Sequence, residues 1–136
     1  MKKIYIDAST HPKKQISVGA LILHSNGEKI SKTYRLRGTN NHEAEFEMLI
    51  HALTLLRETN EENDTIFIYS DSRIVVDTFH KKYVKKNEFK PYLEKILSLS
   101  EDMPHLYLEW IPESENKMAD HHAKQALHHY LKTMKI

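Results

Sequence analysis

One stretch constrains this chain more than any other: Ile66-Phe67-Ile68-Tyr69-Ser70-Asp71-Ser72, an apolar run that stops on a carboxylate. Continuous β-branched and aromatic side chains without polar alternation predict a central strand covered on both faces. Taken alone, Asp71 reads equally well as the N-cap of a helix opening at Arg73 or as a group that binds something at the strand's end. Which reading holds depends on whether other acids converge on the same place.

The flanking pattern supplies the frame. Lys3 to Ser9 predicts a first strand, with Ile4 and Ile6 on one face and Tyr5 and Asp7 on the other. His11 to Gln15 is a polar turn, Val18 to Leu23 a second strand, and Ser25-Asn26-Gly27 a hairpin signal. Lys29 to Arg37 alternates as a half-exposed third strand, which gives an antiparallel meander. From Gly38 the spacing turns helical to about Thr59, with Leu49, Ala52, Leu53 and Leu56 on one stripe. Glu45 falls on that stripe, whereas Glu43 and Glu47 point toward solvent. After Asp71 come a helix to Lys82, a basic stretch with interleaved aromatics, a short helix from Pro91 to Ser100, and a fifth strand from His105 to Ile111. A loop then leads to a last helix with Ala123, Leu127, Leu131 and Met134 on its apolar stripe and Asp120 at the stripe's N-terminal end. The order βββαβα(α)βα predicts a single α/β domain over residues 1–136, built on a five-stranded mixed sheet with flanking helices.

A fold does not keep Glu45 and Asp120 on apolar stripes for stability, because burying an unpaired carboxylate costs several kcal/mol. Asp7 and Asp71 end strands while Glu45 and Asp120 begin helical stripes, so all four can converge. Four oxygen donors in a chain without cysteine favour hard cations, Mg²⁺ or Mn²⁺. Two such ions about 4 Å apart suit in-line attack of water on a phosphodiester. The formal net charge of +1 announces no polyanion globally, so a nucleic-acid face must come from local clustering. No apolar run approaches the ~20 residues of a membrane span, and the lack of cysteine and of a signal-peptide pattern fits a cytoplasmic protein.

These residues resemble the type 1 ribonuclease H family. The match runs through Tyr5-Ile6-Asp7-Ala8-Ser9, Thr39 to Leu49 with Asn40-Asn41 and Glu45, Tyr69-Ser70-Asp71-Ser72, and Trp110 to Asp120. The resemblance implies an endonuclease that cleaves the RNA strand of RNA/DNA hybrids with two divalent cations, leaving 5′-phosphate and 3′-hydroxyl ends. Asp7 would bridge both ions, Glu45 and Asp71 would hold the ion on the leaving-group side, and Asp120 the ion that activates water. Ser9, Asn40, Asn41 and Ser72 would contact the nucleic acid, and Lys81, Lys82, Lys85 and Lys86 would track its phosphates, acting as a monomer. Read without the resemblance, those lysines are a solvated face.

Three departures stand out. Ala8 follows Asp7 where the family often has glycine, and the turn after it lacks the family's Gly-rich sequence. The loop before Asp120 carries no histidine and is similar in length to that of a short-loop subgroup. Glu113 places an acid where that subgroup has arginine. Two alternatives follow: a nuclease for double-stranded RNA, or a nucleic-acid-binding module with feeble or no turnover. His121 and His122 are expected to be solvated, and His42 and His51 to lie off the Glu45 stripe.

Overall fold

The computed structural model describes residues 1–59 and 64–134. Its strands are β1 (Lys2–His11), β2 (Ile16–Ser25), β3 (Glu28–Leu36), β4 (Ile66–Ser70) and β5 (Leu106–Trp110). Its α-helices are α1 (Asn41–Glu58), α2 (Arg73–Lys81), α3 (Lys90–Ser100) and α4 (Lys117–Thr133), with short 3-10 turns at Asn87–Phe89 and Glu113–Glu115. The sheet order is β3-β2-β1-β4-β5. Strands β1 to β3 form the antiparallel meander, and β4 and β5 add in parallel. The five-stranded mixed sheet expected from the sequence is therefore the sheet observed.

Alternation sorts the strands into two faces. Ile4 and Ile6 pair with Leu23 and Leu21, and Ile4 with Ile68, so these side chains share the face on which α1 lies. There Phe46, Leu49, Leu53 and Leu56 complete a core with Val75, Phe89, Leu93 and Ile96 from the later helices. Burying each such side chain contributes on the order of 1.5–3 kcal/mol, which is why the helical stripe dictates where α1 sits. Gly19 on β2 has no space for a Cβ, which would overlap the Met48 side chain, so α1 can approach the sheet closely. Across the hairpin, Asn26 and Gly27 both have positive φ (52° and 79°), the conformation a two-residue turn between twisted strands requires. Helix α4 packs on the opposite face over β1 and β2, with Leu127 against Ile16 and Val18.

Four expectations need correction. The centre of the sheet is β1, and β4 lies beside it. Only the α1-side face of β4 is sealed; its other face carries an aromatic row, Tyr5–Tyr69, Tyr69–Phe67 and Phe67–Tyr107, at centroid spacings of 4.9, 6.3 and 5.3 Å. These rings cover one another, so an apolar run appears where no helix packs. Strand β3 is exposed from Glu28 to Thr33 because it is the sheet's edge. Met134 caps the end of α4 and is exposed, beyond the reach of the sheet.

Candidate active site

Asp7 comes from β1, whose parallel register with β4 runs to Ile6 opposite Ser70. The next residue of each strand line is thus an acid, Asp7 and Asp71, at the same end of the sheet. Glu45 comes from the first turns of α1, on the buried stripe between Ala44 and Phe46. One carboxylate oxygen of each of these three lies within 4.8 Å of the others. Asp7 and Glu45 are 4% and 3% exposed, and Glu45 Oε2 is buried with no hydrogen-bond partner. An orphaned carboxylate oxygen at that depth costs the fold on the order of several kcal/mol unless a cation satisfies it. The donor set is all hard oxygen, so Mg²⁺ or Mn²⁺ fits it and a thiophilic ion does not.

Burial sets the site's electrostatics. It is the main cause that pushes the Asp7 carboxyl up to about 7, with the Asp71 charge adding to it; a hydrogen bond with Glu45 and one from the Ala8 amide oppose it. Glu45 is held well above the ordinary carboxylate range, first by burial, then by the Asp7 charge and a hydrogen bond to Asp7. The pair therefore holds a proton to well above the ordinary carboxylate range. Asp71 is raised too, by burial, against a hydrogen bond from Asn116; Glu113 and Asp120 raise it further.

Neighbouring groups fix each acid. Ala8 N donates to Asp7 Oδ1 at 2.9 Å. Asn116, 1% exposed, donates through Nδ2 to the Ile6 carbonyl at 2.8 Å and to Asp71 Oδ2 at 3.3 Å, which ties the start of α4 to both strands. The N-cap of α2 is Ser72, whose Oγ accepts from Val75 N, so Asp71 is free of capping duty. Trp110 Nε1 donates to the Asp71 carbonyl at 3.2 Å, and the Arg73 guanidinium stacks 3.7 Å from its ring centroid.

Asp120 stands apart from the cluster of three. It is half-buried and pairs with Lys124 Nζ at 3.1 Å, one turn along α4. Its charge still reaches the cluster, since it raises both Asp7 and Asp71.

A cleft of about 520 Å³ runs out from Glu45 and Asp71 between the N-termini of α1 and α2. Asn41, Ser72, Arg73 and Glu113 line it, and so does His42, which the sequence had placed away from the acids. Asn40 instead caps α1, accepting from Glu43 N at 2.9 Å, and leaves the cleft to Asn41. Beyond Ile74 lies a second hollow of about 540 Å³, with Lys81, Lys85 and Lys86 on its rim and the exposed Tyr83 beside them. Lys82 is exposed, sits at the left-handed end of α2 and does not line the hollow. Ser9, half-buried, lies one strand step past Asp7 on the same face.

Glu43 and Glu47 do not project freely. Glu47 accepts from Arg37 N and Gly38 N at 2.8–3.0 Å, and Glu43 from Thr39 N at 3.0 Å, so both clamp the turn that presents Asn41 and His42. Sequence reasoning missed Arg73, Asn116 and His42 as neighbours of the acids. An asparagine at a helix start reads as a cap, and its contact with Ile6 spans 110 residues.

A family model described as reverse transcriptase-like matches residues 5–126. The Enterococcus faecalis protein EbsB, provisionally named a hydrolase, is 39% identical over 127 residues, which is 93% of this chain and 94% of that one. Among solved structures, LC11-RNase H1, isolated from compost by a metagenomic approach, aligns with a TM-score of 0.83 at 24% identity, covering 96% of this chain and 97% of that one. The same protein has been solved in complex with an RNA/DNA hybrid (TM-score 0.78, 23% identity, 89% and 92% covered). RNase H1 from the halophilic archaeon Halobacterium salinarum NRC-1 aligns at 0.80 with 19% identity, over 93% and 96%. At these identities the structural likeness establishes the fold alone.

Proposed function

The chain belongs to the reverse transcriptase-like family, and from that premise we propose that it is a metal-dependent endonuclease acting on the RNA strand of RNA/DNA hybrids. The observation that carries this reading is the buried Glu45 Oε2, an oxygen without a hydrogen-bond partner on a carboxyl within reach of Asp7 and Asp71. The hybrid held by a protein of the same fold supports the substrate class.

Asp7, Glu45 and Asp71 would hold the cations, with Asp120 joining them once released by Lys124. Bound there, Mg²⁺ or Mn²⁺ would supply charge stabilisation for the attacking and leaving oxygens of a phosphodiester. The chain's own residues do the rest. Asp7 and Glu45 give up their shared proton when the site loads. Asn116 holds Asp71 in one orientation, and the Ala8 amide does the same for Asp7. The helix N-termini at Asn41 and Ser72 face the cleft and favour phosphate oxygens there. Arg73 stacked on Trp110 offers a guanidinium edge on the cleft wall, and Lys81, Lys85 and Lys86 extend the positive track. The products would carry 5′-phosphate and 3′-hydroxyl ends.

The test is a panel of end-labelled RNA/DNA hybrid, double-stranded RNA and double-stranded DNA, each with Mg²⁺, Mn²⁺ or EDTA. The expected outcome is cleavage of the hybrid's RNA strand, abolished by EDTA. Preferential cutting of double-stranded RNA would move the activity to that substrate, and binding without cutting would make the chain a nucleic-acid-binding module.

A further inference from the structure

A groove on the other side of α4 carries an arginine and several side-chain hydrogen-bonding groups that the acid cleft does not use. It lies between the edge strand β3 and the outer half of α4, has a volume of about 410 Å³, and is lined by Thr33, Arg35, His122, Gln125, His129 and Tyr130 among others. No acid lines it. The Arg35 guanidinium sits 4.5 Å from the Tyr130 ring centroid, so the ring supports its face and leaves its N–H edge to the groove. His122, expected to be solvated, is half-buried in this wall.

The sequence concentrates charge in the same place. Between Lys29 and His42 there are four Lys or Arg and no acid, and from His121 to the end of the chain there are lysines and four histidines and no acid. All acids except Asp7 and Glu28 fall between Glu43 and Asp120. A chain with a net charge of +1 thus separates its charges, and the groove is the seam where its two acid-free stretches, 29–42 and 121–134, meet.

Position relates the groove to the acids. Asp7 is in register with Ala20 and through it with Thr33, and Ser9 with Val18 and Arg35. Thr33 and Arg35 therefore share the sheet face of Asp7, two strand spacings away, or about 10 Å. A nucleic-acid strand advances about 3.4 Å per nucleotide, so the groove begins some three nucleotides from the acids.

We infer that this groove is a second phosphate-binding surface, which takes the nucleic-acid backbone outside the acid cleft through Arg35, Gln125, His122 and His129. The occupant is a polyanionic strand because the stretches that meet here, 29–42 and 121–134, carry lysines and arginines and no acid, with the Arg35 guanidinium at the groove itself. The inference rests on the nuclease reading for its substrate, and binding without turnover tests it separately.

The experiment measures fluorescence anisotropy of labelled hybrids in EDTA, with the double variant Gln125→Glu/His129→Glu and, separately, Arg35→Gln. Gln125 and His129 are exposed, so the double variant is expected to melt like the parent. For a hybrid long enough to leave the cleft, the double variant is expected to raise Kd about tenfold and lower the salt slope by about one to two. A hybrid short enough to fill only the cleft should bind unchanged, and kcat at saturation should hold. Equal affinity of parent and variants for the long hybrid would overturn the inference, as would an equal loss on short and long. A parent that binds the long hybrid yet cuts nothing would sink the nuclease reading alone, and the long-against-short comparison would still decide the groove.

Discussion

Replacing Asp71 by Asn is expected to lower metal-dependent cleavage by at least ~10³-fold, the equivalent of several kcal/mol of transition-state stabilisation. The substitution is close to isosteric, and an amide oxygen at this position can still accept from Asn116. Ser72, not Asp71, caps α2, so the helix is untouched. The change also removes a negative charge from a cluster whose members repel one another, so the fold should not weaken. What is lost is one hard anionic donor. A purified Asp71→Asn protein with unchanged circular dichroism and near-parental kcat would contradict the assignment of this residue.

Replacing Asp7 by Asn should separate stability from activity in the opposite sense. Activity should vanish while the metal-free protein gains on the order of 2–4 kcal/mol at neutral to mildly alkaline pH. The sign follows from burial. Asp7 titrates at about 7 in the folded chain against an ordinary 3.8, so across that window the native state holds more protons than the unfolded state. The Asp7 contribution to the stability of the metal-free parent therefore falls as pH rises through the window and levels off above it. The variant, having no carboxylate to desolvate at position 7, should lose the part of that dependence that Asp7 supplies. Glu45 remains, raised first by its own burial, so a slope of the same sign persists in the variant. Urea denaturation in EDTA from about pH 5 to about pH 8 measures both curves. A parent whose stability climbs over this range, or an Asp7→Asn protein less stable than the parent, would refute it.

The convergence of Asp7, Glu45 and Asp71 was legible in the sequence because the three are misplaced. A glutamate on an apolar helical stripe, and aspartates directly after apolar strand residues, have no stabilising reason to be there. The elements were legible for the same physical cause read positively, since Leu49, Ala52, Leu53 and Leu56 repeat at helical spacing and are all buried. Sheet order was not. Ile66 to Tyr69 looks alike at the centre of a sheet and one place beside it, and only the parallel pairing of β4 with β1 decides. The distance between Asp120 and the other acids was hidden too, because Lys124 competes for it from a single helical turn away. The clamps made by Glu43 and Glu47 look like solvated acids in sequence, and become visible only when the turn at Gly38 brings amides back onto α1.

The most direct measurement is a calorimetric titration of metal-free protein with Mn²⁺ near pH 7, run in two buffers of different ionisation enthalpy. Carboxylates that share a proton must release it to bind a cation, so saturable binding whose heat depends on the buffer is expected. Asp71→Asn is expected to bind more weakly. No saturable binding, or binding without proton release that survives Asp71→Asn unchanged, would contradict the claim that Asp7, Glu45 and Asp71 were gathered to hold a divalent cation.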